Sequence, residues 1–318
     1  MKEFAKIFKS GPFEFPKITD DHPLYGRLLA REINKLDSLP DFSEDKGIFI
    51  LSDFGGEHKG ANFSTYSFLI CSADKRSVFE KEAVSIRKKY KLNDPWKELG
   101  YKDLRYGPIK RALGDILEIA DALIHGLLLT VSIDKNIESL FGLDKKGAHS
   151  EIIGLFQEKK LGLWKGNEAE KVLRVCHPIA LFLSILAESG QKFLWLCDHD
   201  SINEEGKGRG FSDTQKILGY TLSMYSDNQY EILGFAKPFR GDAGTSDLLS
   251  LADFSAGAIQ EVLQSEFTGK DVQVSEEKGK IVKWMGTDSQ FLKKVNLVFV
   301  KQDDGNWGVG PVELTAKI

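Results

Sequence analysis

Short apolar runs alternate with longer segments of helical periodicity along most of this chain. Runs rich in β-branched and aromatic residues predict strands, whereas apolar positions spaced three and four residues apart predict helices. Strands are predicted at residues 48–52, 63–71, 125–133, 192–198, 230–236 and 295–300. Helices are predicted at residues 24–36, 75–90, 108–122, 175–188, 212–224 and 246–264. A turn is expected at residues 53–56, directly after the first strand.

The order of these elements predicts an α/β fold with a mixed sheet flanked by helices. Short connections between the first strands favour antiparallel neighbours, and the later strand–helix–strand unit favours a parallel crossover. We expect residues 46–266 to form the main domain, with a helical insert at about 134–172. Residues 1–45 are expected to be an N-terminal extension, and residues 267–318 a small β-containing tail packed on the core.

Composition is that of an ordinary globular protein, with 42% hydrophobic and 28% charged residues among 318. The formal net charge of −4 excludes a globally basic nucleic-acid binder, so any such contact needs a local basic patch. The three cysteines have no C-x-x-C spacing, which argues against structural zinc and against a disulfide framework. Because no signal-like or membrane-spanning apolar stretch is apparent, a cytoplasmic protein without membrane contact is expected.

Three aspartates stand in apolar surroundings although they are far apart in sequence. Asp53 and Asp198 each end an apolar run, and Asp253 lies inside an apolar helical segment. An ionised carboxylate is costly to bury unless it is paired or holds a metal. The pattern therefore suggests a shared cation site, although an Asp at a strand end also serves in turns and caps.

Two further aspartates are reserve candidates for the same site. Asp247 lies in the first turn predicted for the last long helix, where free amides favour a carboxylate as a cap or as a ligand. Asp200 follows Asp198 by two residues, and a one-residue slip in register exchanges the faces to which side chains point. Which of Asp198 and Asp200 faces the site therefore stays open. On the helix, Asp253 shares a face with the small residues Ala256 and Gly257.

The predicted strand order, with an Asp in the first strand, one at the fourth and one on the last helix, is similar to the ribonuclease H fold. The motif Phe-Ile-Leu-Ser-Asp-Phe-Gly-Gly at 49–56, and Ser-Asp-Leu-Leu-Ser-Leu-Ala-Asp-Phe-Ser-Ala-Gly-Ala-Ile at 246–259, resemble a bacterial family catalogued as domain of unknown function 3800. That family typically has Asp-Glu-Ser-Gly at the first motif and Gln-Leu-Ala-Asp-Leu-hydrophobic-Ala-Gly at the second. The resemblance covers about residues 47–265. This chain lacks the glutamate beside Asp53, and Glu57 is near enough to replace it.

The resemblance implies a nuclease that uses Mg²⁺ or Mn²⁺ to hydrolyse phosphodiester bonds, in phage defence or mobile-element biology. Asp53 would be the bridging metal ligand, Asp198 and Asp253 would complete the sites, and Asp200 and Asp247 would be the reserve catalytic carboxylates. One alternative is a catalytically silent relative that binds nucleic acid or a protein partner. Another is a different α/β enzyme acting on a small phosphorylated substrate.

Basic residues in two predicted loops are candidates for contacting a nucleic-acid backbone. Lys207 and Arg209 lie in the Gly-rich stretch 204–210, and Lys237 and Arg240 flank Pro238 before the last long helix. Flexible cationic loops beside a carboxylate site would attract a polyanion. The same composition is also typical of solvated surface loops.

Overall fold

The computed structural model describes residues 7–92, 94, 97–206, 208–236, 242–269, 275–302 and 305–314. The strands are β1 (Phe8–Ser10), β2 (Ser38–Pro40), β3 (Gly47–Gly55), β4 (Phe63–Ser72), β5 (Gly126–Asp134), β6 (Lys192–Cys197), β7 (Ile232–Ala236), β8 (Leu292–Lys301) and β9 (Trp307–Pro311). The helices are α1 (Leu24–Ile33), α2 (Arg76–Lys89), α3 (Gly107–Leu123), α4 (Lys145–Glu158), α5 (Gly166–Leu186), α6 (Phe211–Tyr225), α7 (Ala243–Thr268) and α8 (Glu276–Met285).

A seven-stranded sheet organises these elements in the order β7-β6-β3-β4-β5-β8-β9, and β1 pairs separately with β2. Strand β4 runs antiparallel to both of its neighbours, β3 and β5. Strand β6 is parallel to β3, and β7 is parallel to β6. At the other end of the sheet, β8 is parallel to β5 and β9 is antiparallel to β8. The prediction of an α/β fold with a mixed sheet flanked by helices is confirmed.

Helices cover both faces of the sheet and create two separate apolar cores. Side chains from α1, α4, α5 and α6 form one core, and those from α2, α3, α7 and α8 form the other. Successive residues of a strand point to opposite faces, so Ile50 enters the first core and Leu51 the second. Strand β5 is buried along its whole length because both of its faces are covered.

Several element boundaries differ from the sequence prediction, and two of the differences have an identifiable cause. The turn expected at 53–56 is wrong for its first three residues, because Asp53, Phe54 and Gly55 continue the pairing of β3 with β4. Helix α7 begins three residues earlier than expected, since the Asp242 carboxylate accepts the Thr245 N–H at 3.2 Å and caps the helix there. Helix α5 begins at residue 166 rather than 175, within the segment expected to be a helical insert.

The two ends of the described chain contribute to the same layered structure. The Tyr25 side chain of α1 is fully buried, and its hydroxyl donates to the Arg174 carbonyl at 3.0 Å. Strands β8 and β9 extend the main sheet beyond β5. Within the described ranges, no helix combines the length and the apolar surface that crossing a bilayer requires.

Candidate active site

Two of the predicted site residues lie side by side at the carboxyl ends of adjacent parallel strands. Ser52 of β3 is the register partner of Cys197 of β6, and the Asp198 N–H donates to the Ser52 carbonyl at 3.2 Å. Asp53 and Asp198 are the next residues after this pair, so they lie at the same level of the sheet. Each is two residues beyond a leucine of the α7-side core, so both side chains point toward α7.

Helix α7 brings the third carboxylate to this point. It packs across β3 and β4, and small residues permit the close approach: the missing Cβ of Gly55 would lie 3.5 Å from the Ala256 carbonyl oxygen. The Asp253 carboxyl group is hydrogen-bonded to that of Asp53 and lies within electrostatic range of Asp198. The structure thus assembles Asp53, Asp198 and Asp253 from three distant parts of the chain.

A backbone donor that the sequence did not reveal orients Asp253. The Tyr101 N–H donates to Asp253 Oδ2 at 2.6 Å, from a short 3₁₀ turn that packs on α7. The Tyr101 ring lies against Gly257, and its hydroxyl donates to Glu261 at 3.0 Å. Tyr101 therefore fixes one face of the carboxylate cluster through both its main chain and its ring.

Burial and mutual repulsion disturb the ionisation of the cluster. Burial, followed by the negative charges of Asp253 and Asp198, raises the pKa of Asp53 to about 8. Burial also raises the pKa of Asp253, although the Tyr101 N–H and the hydrogen bond with Asp53 act in the opposite direction. The raised pKa values of both groups favour one proton shared between Asp53 and Asp253 at neutral pH. The site thus carries more negative charge than its surroundings compensate, which favours a cation.

The donor atoms of the cluster fit a hard divalent cation. All three side chains offer carboxylate oxygens, the ligands that Mg²⁺ prefers. Across the described ranges, no group of three or more His, Cys, Asp and Glu side chains is arranged so that it could hold a metal ion as it stands. In this cluster, Asp53 and Asp253 are hydrogen-bonded to each other. Ion binding would therefore require release of the shared proton and a shift of these side chains.

Asp247, one of the reserve carboxylates, binds an arginine instead of joining the cluster. Its carboxylate accepts from Arg87 Nε at 2.8 Å, and both side chains are at least 95% buried. The Arg87 guanidinium also donates to the Leu92 and Lys97 carbonyls. Asp247 therefore fastens α7 to α2 and to the chain beyond α2.

Asp200, the other reserve carboxylate, is also engaged elsewhere. It caps the 3₁₀ turn Ser201–Asn203 by accepting the Ile202 N–H at 3.0 Å, and it binds the Lys171 ammonium at 2.5 Å. The same ammonium contacts the Glu57 carboxylate and lies 5.2 Å from the centre of the Phe54 ring. Of the two carboxylates left open by the sequence, Asp198 is therefore the one that lies near Asp53 and Asp253, and its role in a site stays a prediction. Glu57 and Asp200 form an ion-pair network with Lys171 at the rim of the cluster.

The predicted basic contacts fall into two groups. Arg209 is occupied internally: its guanidinium donates to Glu168 at 2.6 Å and to the Ser201 carbonyl at 2.8 Å, and it stacks on Trp164. Its side chain is only 9% exposed, which leaves little of it for a phosphate. Lys207, Lys237 and Arg240 lie outside the described residues, so their contact with nucleic acid stays a prediction.

Comparisons with family models and with curated proteins add no relative to this picture. No protein-family model matches the chain, and no curated protein matches it. The resemblance noted in the sequence therefore depends on the two aspartate motifs themselves.

Removal of the Asp53 carboxylate should stabilise the metal-free protein increasingly between pH 4 and pH 8. The pKa of this group is about 8 in the folded state against an ordinary value of 3.8, so the folded protein retains a proton that the unfolded chain releases. Wild-type stability should fall as pH rises through this window, and Asp53→Asn should be about 1–3 kcal/mol more stable at pH 8. Urea unfolding in chelator measures the difference, and a gap independent of pH would contradict the assignment.

Gly257→Ala should displace Tyr101 and loosen Asp253. A Cβ at this position would lie 2.4 Å from Tyr101 Cδ1, closer than any packed contact allows. We expect a loss of about 1–3 kcal/mol of unfolding free energy, which is typical of overpacking. Gly114→Ala is the matched control, because a Cβ in that helix has no neighbour within 4 Å and should be neutral or stabilising. Equal stability of the two variants would show that the Tyr101 contact is unimportant.

Proposed function

We propose that this protein is a nuclease of ribonuclease H-like fold that uses Mg²⁺ or Mn²⁺ to hydrolyse phosphodiester bonds in nucleic acid. One observation carries the proposal. Asp53, Asp198 and Asp253 converge from β3, β6 and α7 at the carboxyl ends of two adjacent parallel strands, and they share an excess of negative charge. A partly buried carboxylate cluster with raised pKa values is more typical of a functional site than of a structural one.

The topology around the cluster supports the same proposal. Strands β5, β4, β3, β6 and β7 are consecutive neighbours, and within this set only β4 runs against the others. This order resembles the ribonuclease H fold. So do the positions of the three aspartates, with Asp53 on β3, Asp198 directly after β6 and Asp253 on α7. We also propose that the protein is related to the family of unknown function 3800. In the same proposal, the protein is cytoplasmic and acts in phage defence or mobile-element biology.

Each residue of the cluster has a definite part in the proposed reaction. Asp53, Asp198 and Asp253 would hold the divalent cation, which when bound activates water and stabilises the leaving oxygen. The Tyr101 N–H holds Asp253 in place. Lys171 binds both Glu57 and Asp200 and offsets one of their two negative charges, which reduces their repulsion toward an approaching phosphate.

A catalytically silent relative that binds nucleic acid or a protein partner is the second candidate. Phe54 stands where the resembling family has a glutamate, and Glu57 is committed to Lys171. Both facts reduce the number of carboxylates that are free to bind a cation. Metal binding and hydrolysis distinguish this candidate from the first.

Incubation of the protein with labelled polynucleotides tests the proposal. Single-stranded and duplex DNA and RNA are presented with Mg²⁺, with Mn²⁺, with Ca²⁺ and with chelator, and a small phosphate monoester serves as the alternative substrate. We expect a polynucleotide to be hydrolysed in the reactions that contain Mg²⁺ or Mn²⁺ and not in those that contain Ca²⁺ or chelator. We also expect Mg²⁺ or Mn²⁺ to raise the melting temperature of the protein. A melting temperature unaffected by either cation would refute metal-dependent catalysis. Hydrolysis confined to the monoester would identify a small-substrate enzyme instead.

A further inference from the structure

An open, shallow surface cavity with a basic lining lies between helix α4 and the beginning of α5, on the opposite face of the sheet from α7. Its volume is about 840 Å³, and it is lined by Lys145, Lys146, His149 and Lys165 together with Ile153 and with small or neutral polar residues. Among the described residues that line it, none is acidic. The protein has a formal net charge of −4, so this lining makes a local region of positive charge on a negatively charged molecule.

Two acidic side chains that contact residues of the lining are already bound to other groups. The Glu170 carboxylate lies 3.0 Å from His149 Nε2, within hydrogen-bond distance, and forms an ion pair with Arg174. Glu168 binds Arg209 at 2.6 Å and reaches Lys165 only at 3.8 Å.

The two α4 lysines of the cavity keep their charge available. Asp144 caps α4 by accepting the Gly147 N–H at 2.8 Å. Lys145 and Lys146 make no ion pair within the part of the chain that the structure describes. The cavity therefore presents lysine ammonium groups that an external anion could neutralise.

The cavity lies at the same edge of the sheet as the carboxylate cluster. The first turns of α5 contact the chain that follows β6: Glu168 is joined through Arg209 to Ser201, and Lys171 binds Asp200. Lys165 precedes Lys171 by six residues, about 9 Å along a helix axis. A ligand that occupies the cavity would have to cross this edge beside Lys171 to reach Asp198, whose side chain points to the other face of the sheet.

We propose that this cavity binds phosphate groups of a nucleic-acid strand whose adjoining segment lies at the carboxylate cluster. This inference rests on the proposed nuclease function, and it adds a second place at which the protein holds the substrate. Lysine ammonium groups bind phosphates as compact point charges, and each neutralised phosphate releases condensed counterions. A second, cationic contact explains how a polyanion is retained beside three carboxylates. A single phosphate is too small to engage both places, so the ligand is a polymer.

The test compares two triple variants that change charge equally. Lys145, Lys146 and Lys165 are replaced by Gln in one, and the exposed Lys81, Lys88 and Lys283 of α2 and α8, on the other face of the sheet, are replaced by Gln in the control. Binding of a labelled single strand is followed by fluorescence anisotropy across a salt series, with Ca²⁺ in place of Mg²⁺. We expect the cavity variant to bind about 10-fold or more weakly and its salt slope to fall by about 2, since each lost phosphate contact removes about 0.7. The control should retain the wild-type slope.

Each result has a separate meaning for the cavity and for the proposed function. If wild type binds the strand and the two variants behave alike, the cavity assignment is overturned while the nuclease proposal stands. If wild type binds no polynucleotide at low salt, both are overturned. Calorimetric titration with inorganic phosphate completes the test. Tight binding that depends on the three cavity lysines would show a site for free phosphate and overturn the polymer assignment, whereas weak or absent binding supports it.

Discussion

Asp247→Ala should cost about 3–5 kcal/mol of unfolding free energy, the usual cost of removing one partner from a buried ion pair. The change leaves the Arg87 guanidinium, which is 5% exposed, with a full charge and without its carboxylate. Arg87 would also lose its fixed orientation toward the Leu92 and Lys97 carbonyls. Urea unfolding measures the loss as a lower midpoint at an unchanged slope.

A double variant separates an ion-pair role from a metal-binding role for Asp247. Arg87→Met with Asp247→Leu removes both charges and replaces them with apolar groups of similar size, so most of the stability should return. The metal-induced rise in melting temperature should persist in this double variant. If Asp247→Asn instead folded with wild-type stability and lost its response to metal, Asp247 would have to be placed among the ligands.

Local sequence was sufficient to predict that Asp198 follows a buried strand and that Asp253 lies on a buried helix, whereas Asp53 was expected in a turn and instead lies within β3. Each follows or interrupts an apolar segment that a strand or helix must bury, and the burial of that segment carries the carboxylate inward. The small residues near Asp253 let α7 approach the sheet closely, since a Cβ on Gly55 would lie 3.5 Å from the Ala256 carbonyl oxygen.

The partners of the other polar residues could not be predicted, because they come from distant parts of the chain. Asp247 resembled a helix-cap residue in sequence, yet its partner Arg87 is 160 positions away. Tyr101 is 152 positions from Asp253 and binds it through a backbone N–H, a donor that every residue except proline carries. Arg209 looked like a free loop cation, and only the fold shows it stacked on Trp164. Apolar periodicity predicts the elements, whereas polar pairing depends on their arrangement.

Because Asp53, Asp198 and Asp253 form the cluster and Asp200 does not, substitutions at the first three should reduce activity most. Asp53→Asn, Asp198→Asn and Asp253→Asn each keep the side-chain shape and remove one charged oxygen donor from the cluster. We expect each to lower kcat for metal-dependent hydrolysis by about 10²–10³-fold, the size of loss that follows removal of one preorganised electrostatic group. Their metal-induced shifts in melting temperature should shrink as well, because the ion then has fewer charged ligands.

Two further substitutions determine whether this loss belongs to the cluster. Asp115→Asn removes a carboxylate from a surface ion pair with Lys89 on the α2–α3 side and should retain wild-type activity. Asp200→Asn weakens the contact with Lys171, so it should lower stability and affect kcat less than any of the three cluster variants. Rates are compared at saturating metal and substrate on variants that unfold cooperatively. If Asp200→Asn abolished hydrolysis while Asp198→Asn left it intact, the catalytic carboxylate after β6 would be Asp200, and the cluster drawn from β3, β6 and α7 would not be the reaction centre.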